Sequence, residues 1–435
     1  ACVALGWAGD INIASSRAVE NKSGQEIEAL LPKTGGLLFF DNLAVPKDAQ
    51  HPNNAMAFIN YITQIQFEAG AVAQLPAECQ RVGITRPLIV TDRGVRAADI
   101  VDVALNTLAG TTAQPVIYDN TPSNPNENAV REAVGMFKEC GCDGIIAIGG
   151  GSAIDLAKGV AVCARHEGPL KRFAVIEGGL AHITSATAPV IAVPTTAGTG
   201  SEVGRGAILI LDDGRKVGVI SPHVVPKAAI CDPQLTLGLP PMLTAATGMD
   251  AIAHCLETFM APAFNPPADG IALDGLWRAW RFIQAATADP KNLEARTNMM
   301  SASLQGALAF QKGLGCVHSL SHALGGIDPR LHHGTLNAIF LPAVILFNRK
   351  APSVVGEQKM ARIAQAMGLA DASQIEDAIR TLTRALGLPT GLRQLEVSER
   401  LFPRIIQGAL ADHSHRTNPR EASAQDYQWL LEASM

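Results

Sequence analysis

The 435-residue sequence contains no apolar run close to the roughly 18–20 residues that a helix needs to span a bilayer. It also lacks basic clusters, since its lysines and arginines are scattered and the formal net charge is -5. Such a chain has no electrostatic surface for nucleic acid or for an anionic membrane, so we expect neither as a partner. The start of the sequence does not have the pattern of a secretory signal, in which basic residues are followed by an apolar run and then by small residues.

The eight cysteines lack the spacing of a zinc ribbon or of a disulfide framework. Even Cys140 and Cys142, which are close enough to share a metal, are better interpreted as reduced thiols. Reduced cysteines predict a cytoplasmic location. Apolar residues make up 47% of the chain, and this length and composition predict two or three domains with a large core.

Residues 1–62 differ in pattern from the rest of the chain. They resemble the C-terminal part of periplasmic polyamine-binding proteins, and in that family residues matching Trp7, Asp10 and Asp41 hold ammonium groups. Most of the two lobes that enclose a ligand is missing, so we expect no binding by this segment. The matching phrases are GWAGDI (6–11), LLPKTGGLLFFDNLAVPKDA (30–49) and AMAFINYI (55–62).

The chain begins with Ala1, and Met56 opens a phrase that is typical of a protein start. We therefore interpret residues 1–62 as a fused reading frame. A genuine N-terminal extension that packs on the remainder is the alternative, and the sequence does not decide between the two.

From residue 63 to 239, short apolar runs alternate with helical patterns. Residues 87–91, 115–118 and 144–148 are predicted strands, and 207–211 with 216–220 are a predicted hairpin. Strand–helix alternation predicts parallel βαβ units. From residue 240 to 435 the apolar spacing is helical, so we predict an α/β domain followed by an all-α domain, with the boundary at Leu239-Pro240-Pro241.

Two loops with glycines and hydroxyls follow predicted strands. Glycines let a backbone approach a pyrophosphate, whose charge is favourable at the next helix start. The loops lie where open α/β sheets bind ligands, although the GxGxxG fingerprint is absent and a plain glycine turn is the alternative for the first loop. Ser152 and Asp155 also have the spacing of a capping box. The candidate cofactor contacts are Gly149, Gly150, Gly151, Ser152, Asp155, Thr195, Thr196 and Gly198.

Asp92 ends the first predicted strand of this domain. A carboxylate there can accept hydrogen bonds from a ribose and would repel a 2′-phosphate, which favours NAD over NADP. An aspartate that caps a turn or helix is the alternative.

Asp250 and His254 are four residues apart, as are His318 and His322, so each pair shares one helix face. His332 and His333 follow in a His-His-Gly turn. An acidic oxygen and several imidazoles brought together predict a divalent metal site. We interpret the neighbouring Cys255 as a buried structural thiol and Glu257 as a surface glutamate rather than a support for the metal ligands.

Residues 63–435 resemble the iron-containing (group III) alcohol dehydrogenase family, which has a dehydroquinate synthase-like architecture. The resemblance implies a dinucleotide-binding α/β domain and a helical metal domain, with Asp250, His254, His318 and His333 as ligands of Fe²⁺ or, in some members, Zn²⁺. His322 would lie beside the metal and handle a proton. One residue more than usual separates the last two histidine motifs, so His332 competes with His333. The motifs are GGGSAIDLAK (149–158), PTTAGTGSEV (194–203), DPQLTLGLPP (232–241), TGMDAIAHCLE (247–257), HSLSHALGG (318–326) and HHGTLNAIFLP (332–342).

The predicted function is therefore reversible hydride transfer between NAD(H) and a small primary alcohol or aldehyde, in a homodimer or larger homo-oligomer. Maleylacetate reductase, a hydroxyacid dehydrogenase and glycerol dehydrogenase are alternatives in the same superfamily. An acidic substrate needs a basic residue in the cleft; Arg205 and Lys216 are candidates by position, although we interpret them as a surface charge and a hairpin lysine. A polyamine-binding module and a metal-stabilised structural protein are alternatives of other classes.

Overall fold

In the computed structural model, the described residues are 64–111 and 113–435, preceded by the backbone of three short strands. Strands β1 (Ala4–Trp7), β2 (Ile27–Leu30) and β3 (Asp41–Pro46) form an antiparallel sheet in the order β1-β3-β2. The predicted ammonium contacts in this segment lie outside the described side chains. The chain divides into two compact units, Ala1–Gln66 and Phe67–Met435, and the predicted cofactor and metal residues belong to the second.

The first half of the larger unit is built on a sheet with the order β4-β11-β8-β7-β5-β6, which is parallel from β11 to β6, beside a separate antiparallel hairpin of β9 and β10. The predicted strands and the predicted hairpin are confirmed. The strands are β4 (Ile65–Phe67), β5 (Pro87–Val90), β6 (Val116–Tyr118), β7 (Gly144–Gly149), β8 (Val190–Pro194), β9 (Gly206–Ile210), β10 (Lys216–Ile220) and β11 (Ala228–Cys231).

The central strands are apolar in every position because helices cover both faces of the sheet. Successive side chains of a strand point to opposite faces, and the core divides accordingly. Leu88 and Val90 belong to one hydrophobic cluster, whereas Ile89 between them belongs to another. The helices of this half are α1 (Leu75–Val82), α2 (Arg93–Ala97), α3 (Ile100–Leu108), α4 (Glu127–Glu139) and α5 (Gly151–Cys163).

The second half is helical, as predicted, and its central helix α6 is buried on all sides from Thr244 to its end. A helix of this kind has to be apolar around its circumference except where its polar groups find partners. The helices are α6 (Pro241–Met260), α7 (Pro266–Ala288), α8 (Leu293–Ala309), α9 (Cys316–Ile327), α10 (His333–Asn348), α11 (Pro352–Gly356), α12 (Lys359–Met367), α13 (Ile375–Ala385), α14 (Phe402–Ala411) and α15 (Ala424–Glu432).

Two further predictions concern the described residues only. The seven cysteines in this part of the chain are free thiols, and Cys255 is fully buried, as expected. No helix among the described residues is long and apolar enough to cross a membrane.

The loop that follows β8 packs directly on helix α8, and this contact joins the two halves. Gly200 in that loop has φ +60°, and a Cβ there would clash with the Cβ of Ala307. Gly214, in the β9–β10 turn, has φ +82°, and a Cβ built on it would have no other atom within 4 Å.

We predict that Gly200→Ala lowers the free energy of unfolding by about 1–3 kcal/mol more than Gly214→Ala does, because only the first overpacks an interior contact. Both substitutions place alanine in the left-handed region, so their difference isolates the contact. Urea unfolding of the two variants measures it, and equal losses would contradict the prediction.

Candidate active site

A cleft of about 1380 Å³ lies at the carboxyl ends of the parallel strands. Its lining combines the loops after β7 and β8 with the histidines of the helical half. Ligands of open α/β sheets bind at this edge because loops, rather than packed side chains, occupy it.

The first glycine loop approaches the second so closely that side chains do not fit between them. A Cβ on Gly151 would lie 2.6 Å from the Thr199 side chain, and one on Gly150 would lie 3.2 Å from Thr196. Helix α5 begins immediately after Gly150, so its first N–H groups face the cleft. The exposed backbone of this loop is compatible with the pyrophosphate contact, which stays a prediction.

The predicted capping box of Ser152 and Asp155 is wrong. Helix α5 is capped by Gly150 without a side-chain hydrogen bond, and the Ser152 hydroxyl donates to the carbonyl of Ser123 instead (2.5 Å). With Ser152 inside the first turn of the helix, the spacing of a capping box no longer applies.

Asp155 is buried and connects the two loops. Its carboxylate accepts from the Ser201 hydroxyl (2.5 Å) and from the N–H of Ile208 (2.9 Å). These contacts occupy both oxygens, so its role as a cofactor contact stays a prediction.

One turn further along α5, Lys158 is fully buried and donates to Ser201, to the carbonyl of Gly204 (2.9 Å) and to that of Gly206 (2.7 Å). The sequence reasoning missed Lys158, although its spacing of three residues from Asp155 places both on one helix face.

Asp92 both caps a helix and lines the cleft. One of its carboxylate oxygens accepts from the N–H groups of Gly94 (2.8 Å) and Val95 (3.0 Å) at the start of α2. The other oxygen lies 3.7 Å from the position that a Cβ of Gly149 would take. The alternative interpretation as a cap is therefore confirmed, and the second oxygen remains available to a ribose beside the glycine loop.

Three imidazoles converge on one oxygen of Asp250, the acid of the buried helix α6. Their Nε2 atoms lie 3.8 Å (His254), 3.7 Å (His318) and 3.5 Å (His333) from Asp250 Oδ1. One ligand atom each from Asp250, His318 and His333 lies within 4.8 Å of the others. Two helices and the first residue of a third supply this donor set, which is of the type that binds a divalent transition metal.

The hydrogen bonds of the rings orient them for this role. His254 Nδ1 bonds the carbonyl of Gly198 (3.2 Å), and His318 Nδ1 bonds the carboxylate of Glu257 (2.5 Å). In both rings Nδ1 donates to an acceptor, so Nε2 faces Asp250 and is the nitrogen left to bind a metal. Gly198, predicted as a cofactor contact, thus also positions His254.

The interpretation of Glu257 as a surface glutamate is wrong. Its side chain is buried, and besides His318 Nδ1 it accepts from the N–H groups of Val317 (2.7 Å) and His318 (3.3 Å) at the start of α9. It lies three residues after His254, so the shared helix face was a signal; its partner, about sixty residues further along the chain, was not visible in the spacing.

The charges of the group suit a cation. Burial lowers the pKa of His254 to about 4 and that of His333 well below its usual value, so both rings are neutral. Burial alone would lower the pKa of His318, but its hydrogen bonds to Asp250 and Glu257 raise it to about 9. Burial would raise the pKa of Asp250, but the three histidines hold it far below its usual range, and Asp250 is an anion.

Asn337 provides a test of whether a metal fits. Its Nδ2 lies 2.7 Å from Asp250 Oδ1 and 3.2 Å from His333 Nε2, among the same ligand atoms. Its Oδ1 and the Nδ1 of His333 are buried without a hydrogen-bond partner among the described residues. Besides this donor, the neutral rings of His254 and His333 direct Nε2 at the Asp250 carboxylate, and a bound cation would satisfy these facing acceptors. The spacing of four residues from His333 was a signal for Asn337 that the sequence reasoning did not use.

His332 and His322 lie outside this donor group. His332 is exposed at the N-cap of α10, whereas His333 reaches Asp250, so the geometry favours His333. His322 stacks on His333 at 5.3 Å between ring centroids and bonds Asp412 through Nδ1 (3.0 Å). Asp412 also lies 3.6 Å from Nδ1 of His413.

Lys216 is a hairpin lysine, as the sequence suggested, and lies at the start of β10. Its side chain is partly buried in the cleft, where Nζ donates to Asn124 Oδ1 (2.9 Å). Gly325 and Gly326 of α9 leave room for it, since a Cβ on Gly326 would lie 3.2 Å from the Cβ of Lys216.

The comparisons with known proteins agree with this geometry. Residues 63–233 match the sequence model of iron-containing alcohol dehydrogenases, and residues 244–435 match that of the C-terminal part of the Fe-containing alcohol dehydrogenase family. The chain belongs to the iron-containing alcohol dehydrogenase family. Both matches begin after residue 62, so the resemblance of residues 1–62 to polyamine-binding proteins finds no support in them.

Individual relatives cover most of the chain. It is 62% identical over 384 residues to a 4-hydroxybutyrate dehydrogenase of Cupriavidus necator, a match that covers 87% of this chain and 100% of the relative. A 1,3-propanediol dehydrogenase of Klebsiella pneumoniae is 37% identical over 372 residues, which cover 83% of this chain and 94% of the relative. The solved structure of a 1,3-propanediol oxidoreductase superposes with a TM-score of 0.80 at 35% identity, covering 85% of this chain and 97% of that one.

The predicted enzyme class and cofactors are thereby confirmed. The protein is an NAD(P)-dependent alcohol dehydrogenase of the iron-containing type, with an α/β domain and a helical domain. The assignment of individual residues to iron and NAD is a proposal made below.

We predict that Glu257→Leu weakens iron binding by about 10- to 100-fold, because His318 loses the acceptor that orients its ring. Glu257→Gln keeps an acceptor of the same shape and should lose less. Competition with a chelator measures the dissociation constant of iron for each variant. Wild-type affinity in Glu257→Leu would show that the hydrogen bond does not support the ligand.

Proposed function

We propose that this enzyme is a 4-hydroxybutyrate dehydrogenase. In this reaction the hydroxyl-bearing carbon of 4-hydroxybutyrate gives a hydride to NAD⁺ and its oxygen gives up a proton, which yields 4-oxobutanoate, NADH and H⁺; the reverse reaction reduces the aldehyde. The observation that carries the proposal is the similarity to the Cupriavidus necator enzyme along that enzyme's whole length. The cleft supports it, because its metal-donor group and its nucleotide loops line the same space.

We assign the iron to Asp250, His254, His318 and His333. The four side chains supply one carboxylate and three imidazole nitrogens that lie within 3.8 Å of Asp250 Oδ1, and Gly198 and Glu257 fix two of the rings. When bound, Fe²⁺ supplies a Lewis acid that polarises the carbon–oxygen bond of the alcohol or aldehyde, and NAD⁺ supplies the hydride acceptor.

The nucleotide contacts that we propose are those predicted from the sequence, on the loops after β5, β7 and β8. The backbone at the start of α5 is accessible because Gly149, Gly150 and Gly151 have no side chains. Its N–H groups would bind the pyrophosphate there. One carboxylate oxygen of Asp92 would accept a hydrogen bond from the ribose. The other accepts from the N–H groups of Gly94 and Val95 and caps α2. Ser152, Thr195 and Thr196, which line the cleft, belong to the proposed set, and so do Asp155, whose carboxylate joins the two loops, and Gly198.

We propose that His322 handles the proton of the substrate hydroxyl. Its Nδ1–H donates to Asp412, which leaves Nε2 as the proton acceptor. The side chain of His413, which is 32% exposed and 3.6 Å from the same carboxylate, lies on a path from Asp412 to solvent. The stacking of His322 on His333 supports its place beside the metal ligands.

We also retain the predicted boundary of the two domains at Leu239-Pro240-Pro241, giving residues 63–239 and 240–435. Helix α6 begins at Pro241, and the two family matches leave residues 234–243 between them. A homo-oligomer and a cytoplasmic location stay predictions.

A panel of alcohols tests the proposed substrate. With Fe²⁺ restored under anaerobic conditions, we expect kcat/KM with NAD⁺ to be highest for 4-hydroxybutyrate, followed by neutral alcohols such as 1,4-butanediol and 1,3-propanediol. The reduction of NAD⁺ measures each rate by its absorbance. A higher kcat/KM for 1,3-propanediol than for 4-hydroxybutyrate would overturn the proposal.

Asp92→Asn tests the proposed nucleotide contact. The amide still caps α2 but removes the negative charge, so we expect the ratio of kcat/KM for NADP⁺ over NAD⁺ to rise by about tenfold or more. Asp119→Asn, another acidic residue that lines the cleft, is the control and should leave the ratio unchanged. An unchanged ratio in Asp92→Asn would place the ribose elsewhere.

A further inference from the structure

Five basic side chains line the cleft, and four of them have partners within the protein. Arg93 donates to Asn120 (3.0 Å), Lys216 donates to Asn124 (2.9 Å), Lys312 pairs with Asp269 (2.5 Å), and Arg330 pairs with Asp328 (2.7 Å). The fifth, Arg205, is exposed, and its guanidinium has no hydrogen-bond or ion-pair partner within residues 64–111 and 113–435. A cleft with one uncommitted cation is suited to an anionic group of a ligand.

The backbone on both sides of Arg205 is held firmly. The buried ammonium of Lys158 binds the carbonyls of Gly204 and Gly206, and the carbonyl of Arg205 itself accepts from the N–H of Ser221 (2.9 Å). The base of the side chain is therefore fixed while its end is free, the arrangement that costs a binding residue the least entropy on binding.

Arg205 is also next to the metal-donor group. A Cβ on the preceding residue, Gly204, would lie 3.2 Å from the ring of Phe310. The ring of Phe310 lies 5.2 Å from that of His254, one of the proposed iron ligands. The residue before Arg205 and the ligand ring thus contact the same aromatic side chain, and Arg205 and His254 line the same cleft.

We propose that Arg205 binds the carboxylate of the substrate and so selects hydroxy acids over neutral alcohols. This inference rests on the proposed function, which brings a carboxylate into the cleft. A carboxylate taken from water into a cleft needs a charged partner, and guanidinium matches its two oxygens in a bidentate pair. When the substrate hydroxyl lies at the iron ligands, Arg205 binds the carboxylate at the other end of the substrate. The separation of the two sites then selects the length of the substrate.

The test compares 4-hydroxybutyrate with 1,4-butanediol, a neutral alcohol of the same chain length, in wild-type enzyme, Arg205→Met and Arg205→Lys. We expect Arg205→Met to lower kcat/KM for 4-hydroxybutyrate by about 10- to 100-fold, mostly through KM, since a remote contact binds the ground and transition states alike. The value for 1,4-butanediol should stay within about twofold and shows that the variant is folded. Arg205→Lys should restore part of the loss because it keeps the charge without the bidentate geometry.

Two further variants make the comparison specific. Arg330→Met removes another arginine of the same cleft, which is paired with Asp328, and should change neither substrate. Lys216→Met removes the cleft lysine that donates to Asn124, and it should change kcat/KM for both substrates by the same factor.

The outcomes separate this proposal from the proposed function. If the wild-type enzyme prefers 4-hydroxybutyrate and Arg205→Met keeps that preference, or if Lys216→Met abolishes it, the role of Arg205 is overturned while the proposed function stands. If the wild-type enzyme does not prefer 4-hydroxybutyrate to 1,4-butanediol, both proposals are overturned. Loss of the preference in Arg205→Met alone supports both.

Discussion

The burial of the Asp250 carboxylate is the constraint on which the site depends. An isolated anion inside a protein is costly; this one accepts a hydrogen bond from Asn337 and faces three imidazoles from α6, α9 and the start of α10, a set that a bound cation would complete. Two of these rings are held by partners of their own, the carbonyl of Gly198 and the carboxylate of Glu257. Because Gly198 belongs to the α/β half, the metal-donor group forms only when the two halves are packed together.

A buried lysine joins the remaining parts of the cleft. Lys158 projects from the helix that begins at the glycine loop, and its ammonium binds the loop that contains Ser201, Gly204 and Gly206. That single loop carries Gly198 at one end and Arg205 at the other. This loop therefore contacts the helix of the nucleotide loop, orients His254 and carries Arg205. A change in its conformation would alter all three.

Local patterns in the sequence were sufficient for most of the architecture. Strands β5 to β10 lie where apolar runs and turn residues predicted them, because a strand covered on both faces must be apolar throughout. The pairing of Asp250 with His254 followed from helical spacing alone. The error at Glu257 has a different origin: a charged residue is expected at the surface unless its partner is known, and the partner of Glu257, His318, is distant in the sequence.

The sequence by itself determined the two-part fold, the glycine loops and the presence of a metal-donor set, since each depends on spacing within one helix or at the end of one strand. Only the tertiary structure decided that His333 rather than His332 meets Asp250, that Glu257 is a buried acceptor, and that Arg205 is the cleft cation without a partner among the described residues. Each of these depends on which distant side chain is packed against it, and spacing along the chain contains no information on that contact.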